Sequence, residues 1–418
     1  MTHRKEENGS RRGLRRALFG RADGTPDSPL YAFCLFVVRL WCGRRPFPTV
    51  RDEKLRQADV PYVMISNHES FFDFYYLQRV SHPKRPAFLV SDFYCTRPVL
   101  KFFAKHAGVI SKKIFAPDMA APLRIMRTLR NGYPVVIFPE GRLSPDGRSN
   151  PIVEEGAAFF KRLNADLVLV KLRGAYLAYP KWRGKRFRAP VSVTVEEVIK
   201  KDALRAMSDE ALNRKIAETL YGDASKELLC EYPQKDKARG LDTLLYRCCD
   251  CGALYTTVGR GNELACTACG RRHTLNDQYH FTDAPFTIPG WYDRIKDMER
   301  AELDGLKLEA AVRTHIYGAP GKKDRNERGV CTLTPETFTY RSEETAFSIP
   351  TENMPGMAFS CGKEFEVYHE GELFFFYPEQ QPQQAARWAL AVDLLTERRR
   401  AKKNNKEKIH EEASEETD

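Results

Sequence analysis

Residues 61–77 read Pro-Tyr-Val-Met-Ile-Ser-Asn-His-Glu-Ser-Phe-Phe-Asp-Phe-Tyr-Tyr-Leu. The run YVMIS (62–66) is apolar up to its last residue, Asn67–Asp73 is mostly polar, and Phe74–Leu77 turns apolar again. A strand that stays apolar without alternating belongs in a sheet covered on both faces. The passage therefore predicts a buried strand, a turn, and a helix with Ser70 as N-cap and Asp73 in its first turn.

The same pattern continues outward. Short apolar runs recur at FLVS (88–91), PVVIFP (134–139), LVLVKL (167–172) and PVSVTV (190–195). Amphipathic stretches separate them, such as MAAPLRIMRTLRNG (119–132), whose last residue is a glycine suited to a helix C-terminus. Strands alternating with helices predict an α/β domain, a helix-covered sheet, over residues 29–200.

Two strand ends carry chemistry. On one continuous helix, His68 and Asp73 would stand about 140° apart, at about 100° per residue. They meet only if His68 lies in the turn and Asp73 in the helix's first turn. The aspartate would then fix the imidazole tautomer while the other ring nitrogen takes a proton from a hydroxyl. The competing reading is a helix cap, Ser70-x-x-Asp73, with His68 a bystander. The second strand end is Phe138-Pro139-Glu140-Gly141-Arg142-Leu143-Ser144. Charge beyond a strand end, beside a glycine, lies where α/β sheets bind ligands. Arg142 suits a phosphate, and Glu140 suits ordering the acceptor or the arginine. A plain polar surface loop is the alternative.

Together NHESFFD and FPEGRLS resemble the NHxxxxD and FPEGxxS motifs of the glycerolipid acyltransferase family, typified by lysophosphatidic acid acyltransferases. The resemblance covers about residues 28–200. It implies an α/β fold preceded by a membrane-facing helical element, with His68 and Asp73 catalytic. Asn67, Ser70, Glu140, Gly141, Arg142 and Ser144 are the matching substrate-binding positions. It also implies an acyl-CoA or acyl-carrier-protein donor, a lysophospholipid acceptor (1-acylglycerol 3-phosphate first) and no cofactor for catalysis. The family's middle motif is matched only by Gly108-Val109-Ile110-Ser111-Lys112-Lys113, where Lys112 and Lys113 stand in for its arginine. Lysine meets phosphate as a point charge without a bidentate fork, which puts the headgroup in doubt. The fourth motif, at LVLVKLRGAYL, lacks the family's proline and brings Lys171 and Arg173 instead. An acyltransferase for another hydroxylated lipid, or an inactive membrane-associated scaffold, are the rival readings.

A net charge of +11 calls for an anionic partner. Given the motifs, an anionic membrane and a phosphorylated substrate are expected, and nucleic acid is not. Residues 1–28 read as a basic disordered lead, with Arg11, Arg12, Arg15, Arg16 and Arg21 ahead of the apolar Leu30–Cys42. Arg39 interrupts that stretch, which is too short to span a bilayer and lacks a signal-peptide cleavage pattern. It is expected to be an interfacial anchor at the cytoplasmic face of a membrane, peripheral or monotopic, or else a helix packed on the protein's own core.

Cys248-x-x-Cys251 and Cys266-x-x-Cys269 lie fourteen residues apart, and Gly252 and Gly270 follow the pairs. This spacing predicts a structural zinc ribbon over 241–275, closed by four thiolates. Cys249 leaves a one-residue shift open, and two disulfides are the alternative. Residues 201–240 read as a helical bridge. Strand signals return from about Gly305 and end in the helical QQAARWALAVDLLTERRR, defining a small β-rich domain over 276–398 closed by a C-terminal helix. That domain loosely resembles pleckstrin-homology-like domains, which implies phospholipid or protein binding; a purely structural β-sandwich is the alternative. Residues 399–418 read as a charged tail.

Overall fold

The computed structural model describes residues 26, 29–42, 49–81, 84–96, 104, 108–152, 156–284, 286–319 and 321–415. The basic lead and its arginines lie outside the described residues, Pro26 excepted. The chain divides into two compact units. One runs to Lys181 and resumes over Lys185–Tyr232; the other comprises Trp182–Gly184 and Pro233–Asp418.

The first unit opens with helix α1 (Pro29–Cys42), then β1 (Thr49–Arg51), β2 (Tyr62–Ser66), α2 (Asp73–Ser81), β3 (Ala87–Ser91), α3 (Phe93–Thr96) and β4 (Val109–Lys112). It continues with α4 (Ala120–Arg130), β5 (Val135–Ile137), α5 (Gly156–Arg162), β6 (Asp166–Arg173), α6 (Ala175–Ala178), β7 (Ser192–Ile199), α7 (Lys201–Ala206) and α8 (Asp209–Leu220). The strands form one sheet in the order β1-β7-β6-β2-β5-β3-β4. All neighbours are parallel except β6 and β7. Consequently the chain leaves β2, β3, β4, β5 and β6 at the same sheet edge, and both motif loops lie there.

All five residues of β2 are buried, as an unbroken apolar run requires. Val63, Ile65, Val135, Ile137, Leu167 and Leu169 pack with Ile125, Leu129 and Phe160 from α4 and α5. Leu204, Leu212, Ile216 and Leu220 join the same core, each contributing about 1.5–3 kcal/mol. The expected bridge over 201–240 is therefore divided. Its helices belong to the α/β unit, which extends past residue 200 to Tyr232. On α1, Phe33, Phe36, Val37 and Leu40 are all exposed. Their 3-1-3 spacing lines them along one side of the helix.

The second unit begins with three short antiparallel strands, β8 (Thr257–Arg260), β9 (Glu263–Cys266) and β10 (Arg272–Thr274). Helix α9 (Ile288–Ala301) follows, then β11 (Leu308–Tyr317), β12 (Arg325–Leu333), β13 (Thr337–Ser342) and β14 (Ala346–Pro350). The unit closes with β15 (Ala358–Phe359), β16 (Phe365–His369), β17 (Glu372–Pro378) and α10 (Gln384–Glu415). Strands β11–β17 make one antiparallel sheet, β14-β13-β12-β11-β17-β16-β15. Between Ala385 and Leu395 the helix α10 is buried nearly all round, more widely than the single stripe expected. One side stacks Trp388 on Phe365 at 4.8 Å. Arg387 Nε reaches Glu299 of α9 at 3.0 Å. The helix also runs on through most of the segment read as a tail. The modules expected at 241–275 and 276–398 form one unit, tied by α9: Trp291 Nε1 donates to the Arg247 carbonyl at 2.9 Å.

Candidate active site and cysteine cluster

Strand β2 ends at Ser66, and the turn after it is fixed by Asn67. Its amide side chain donates to the Leu172 carbonyl at 2.9 Å and accepts from the Leu172 amide at 2.7 Å, pinning the turn to β6. His68 follows with its side chain one-fifth exposed. Helix α2 starts at Asp73 itself, which brings its carboxylate back to the turn. Asp73 Oδ2 lies 2.9 Å from His68 Nδ1 and also accepts the Ser70 amide at 2.9 Å. With the carboxylate accepting both, Nδ1 carries the proton and Nε2 keeps its lone pair for an incoming hydroxyl. The imidazole lies flat on Phe138, 3.8 Å between centroids and 12° between planes.

Loop 138–144 grips His68 through its backbone. The His68 amide donates to Glu140 Oε1 at 2.9 Å, and the His68 carbonyl accepts the Ser144 amide at 2.9 Å. Glu140 Oε2 takes both the amide and the side-chain nitrogen of Asn150, at 2.7 and 3.0 Å. Gly141 has φ +71° with open space where a Cβ would go, so conformation, not crowding, calls for glycine. Arg142 stands half-buried, its guanidinium 5.9 Å from the Phe115 ring centre and its Nε 3.4 Å from Asn150 Oδ1.

The structure therefore places Asn67, Ser70, Glu140 and Ser144 in the framework around His68, with polar atoms engaged by protein groups. Ser70 Oγ accepts the Phe72 amide at 3.4 Å, and Ser144 Oγ accepts that of Gly147 at 2.8 Å. Lys112 is exposed at the end of β4, and Lys113 follows it. Phe115 connects that loop to Arg142. Lys171 and Arg173 both pair with Glu227, at 2.8 and 3.0 Å, and Arg173 also pairs with Glu196. Sequence reasoning passed over Glu69, whose two oxygens take the Tyr176 amide at 3.0 Å and Asn67 Nδ2 at 3.3 Å. It also passed over Arg186, whose guanidinium carbon lies 3.1 Å from the Phe72 ring centre. The basic run Lys181–Arg188 was the available signal for it.

Burial governs protonation here. It pushes the His68 imidazole down to about 4, with the Glu140 carboxylate pulling up and the Lys181 ammonium pushing down. It lifts Glu69 to about 8, aided by the Asp73 charge and opposed by the amides of Tyr176 and Ala175. Glu140 rises to about 7 against the amides of Asn150 and His68, and Asp73 rises well above the ordinary range against those of Ser70 and Glu69. His68 is thus neutral, able to accept a proton, from mildly acidic pH upward.

These groups set opposite pH dependences. The folded pKa of His68 lies below its unfolded value, so its contribution to stability is complete above about 6.5 and falls away as the pH drops towards 4. The folded pKa of Glu69 lies above its unfolded value, so its contribution is complete below about 4.5 and is lost as the pH rises through about 8. At about 1.4 kcal/mol per unit, each is worth a few kcal/mol. Glu69→Gln, which cannot ionise, is expected to flatten the alkaline side. Its denaturation midpoint should fall less between about pH 6 and 9 than the wild type's, and parallel curves would refute the assignment.

Residues 48–168 match the acyltransferase family. The matched segment lies within the first unit and takes in both motif loops. Two relatives are chloroplastic 1-acyl-sn-glycerol-3-phosphate acyltransferases. BAT2 of Brassica napus is 28% identical over 44% of this chain and 55% of its own. LPAT1 of Arabidopsis thaliana is 32% identical over 27% and 33% respectively. The chain thus spans about half the length of the first and a third of the second. Among solved structures, the 1-acyl-sn-glycerophosphate acyltransferase PlsC of Thermotoga maritima is similar over 42% of this chain and 70% of that one, at 20% identity and a TM-score of 0.36.

Outside the matched segment, the cysteine pairs meet in space. Cys248 and Cys269 sulfurs lie 3.8 Å apart, as do those of Cys251 and Cys266. A tetrahedron with metal–sulfur bonds of about 2.3 Å has edges of about 3.8 Å, so the four thiolates fit zinc. Each pair is shaped alike: the Gly252 amide donates to the Cys248 carbonyl and the Gly270 amide to that of Cys266, both at 3.0 Å. Both glycines hold positive φ, +72° and +74°. The one-residue shift is not adopted, because the Cys249 sulfur faces His273 instead.

Proposed function

We propose that this chain is a 1-acylglycerol-3-phosphate O-acyltransferase of phospholipid biosynthesis, taking its acyl group from acyl-CoA or acyl-carrier protein. The observation that carries the reading is the His68–Asp73 pair, with Nε2 available beside the loop that holds Arg142. His68 Nε2 removes the acceptor's hydroxyl proton as the oxygen attacks the thioester carbonyl. The tetrahedral adduct collapses, the C–S bond breaks, and the leaving thiolate takes the proton back from the imidazolium. Asp73 holds the ring and balances its transient charge. No cofactor enters this scheme. The names of the two plant relatives support the choice of acceptor.

Arg142 and the lysines 112 and 113 are assigned to the acceptor phosphate, with Gly141 turning the loop. The test is purified protein with acyl-CoA or acyl-carrier protein and a panel of lysolipids, with the esterified product read by mass spectrometry. Arg142→Ala is expected to raise KM for a phosphate-bearing acceptor about tenfold or more while the donor's KM stays near wild type. Equal rises would show Arg142 to be shaping the loop. Lysines in place of a forked arginine favour a second reading, another hydroxylated lipid as acceptor, and the same panel separates the two.

Attachment to the cytoplasmic face of a membrane, peripheral or monotopic, is proposed from the apolar stripe of α1. Among the described residues no helix is long and apolar enough to cross a bilayer. Phe36→Glu with Leu40→Glu is expected to weaken flotation with anionic vesicles and to reduce turnover of bilayer-embedded acceptor more than of a short-chain soluble one. Unchanged flotation would assign the anchor elsewhere. The four-cysteine cluster is proposed as a structural zinc ribbon, and the seven-stranded sheet with α10 as a pleckstrin-homology-like module for lipid or protein.

A further inference from the structure

We propose that Cys249, Asp250 and His273 form a second divalent-metal site beside the four-cysteine cluster, with three protein ligands and a fourth position open to water. Cys249 Sγ lies 3.9 Å from His273 Nε2 and 3.7 Å from Asp250 Oδ2. His273 Nε2 and Asp250 Oδ2 are 2.8 Å apart. Around a tetrahedral zinc, such edges are about 3.3–3.6 Å, so the two sulfur edges need little adjustment and the third opens by about half an ångström when a metal replaces the hydrogen bond.

The imidazole is already aimed. Its other nitrogen, Nδ1, stands 3.4 Å from Asp283 Oδ2 without a hydrogen bond between them, while Nε2 faces the donor pair. Phe281, Phe286 and Trp291 surround the ring at 5.2–6.2 Å and hold it in place. Cys249 and His273 are both less than one-tenth exposed, while the Asp250 side chain is one-third exposed and marks the way in.

Charge favours a second cation. Zinc with four thiolates carries a net charge of −2, and Asp250 and Asp283 add two carboxylates nearby. One thiolate, one imidazole and one carboxylate suit zinc by ligand type. Three protein ligands leave an open position, which separates this site from the closed tetrathiolate and makes its ion the more exchangeable.

The test uses the full chain loaded with Zn2+ and then dialysed, with metal counted by elemental analysis. Wild type is expected to hold two zinc ions per chain and to give one up readily to a chelator. Cys249→Ala and Asp250→Asn should each hold one, and Cys266→Ser should lose the ion that resists chelation. With Co2+ as probe, the second equivalent should add about a quarter of the thiolate charge-transfer intensity of the first, one sulfur against four. That increment should be missing in Cys249→Ala. If burial of Cys249 makes its alanine variant fail to fold, the more exposed Asp250→Asn carries the comparison. One zinc per wild-type chain, unchanged in Asp250→Asn, would overturn the proposal.

Discussion

His68→Ala is expected to lower turnover by about 10²–10⁴-fold while the protein stays folded, since general-base catalysis supplies rate enhancement of that size. The side chain is partly exposed and contributes one stacked face to Phe138, so its loss leaves the turn's backbone bonds in place. Those bonds, to Glu140 and Ser144, come from the main chain of residue 68 and survive substitution. Asp73→Asn is expected to reduce turnover within the same range for a different reason. The carboxamide brings no charge to steady the imidazolium, and its amide nitrogen can only donate, so where it faces Nδ1 it holds the ring in the unproductive tautomer. Steady-state kinetics with thermal melts as a folding control make the check. Near-normal turnover in folded His68→Ala would remove His68 from the chemistry.

Stripping the metal from the four-cysteine cluster, or Cys266→Ser, is expected to unfold the region around Cys248–Thr274. Its three strands have only three or four residues each, too little sheet to stand alone. Structural zinc in such elements contributes about 10–16 kcal/mol of binding free energy that doubles as folding free energy. Hydrogen exchange should show amides such as Thr257–Arg260 losing protection on chelation and regaining it when zinc is restored. Protection unchanged by chelation in zinc-loaded protein would show that the strands stand without metal.

The α/β order was legible because its strands are unbroken apolar runs, and each run named from the sequence became a strand, with ends matching to within two residues except β7, which runs four residues further. The contact between His68 and Asp73 was legible because a five-residue spacing is compatible with contact only across a helix start, and Asp73 is the first residue of α2. Other features were hidden for identifiable reasons. Strand β11 alternates, but its inward positions include the small Ala310 and the polar Thr314, which dilute the signal. The boundary near residue 200 was misplaced because charged faces on α7 and α8 masked the leucines they bury. The roles of Asn67 and Glu140 depend on Leu172 and Asn150, partners that pattern along the chain cannot pair with them. For the same reason Cys249 left a one-residue shift open until the fold set its sulfur against His273.

The clamp on residue 68 has a consequence for how activity arises during folding. Its amide, its carbonyl and the neighbouring Asn67 are held by groups 72 to 105 residues further along the chain. Contacts so distant in sequence close late, after the loop entropy between them has been overcome. A fragment ending before residue 140 would contain the whole NHESFFD segment yet lack the bonds that shape it. Competence to react should therefore switch on in one step with closure of the sheet. In a refolding experiment, regained turnover should track the slowest structural phase, and partly folded chains should leave the acyl thioester intact.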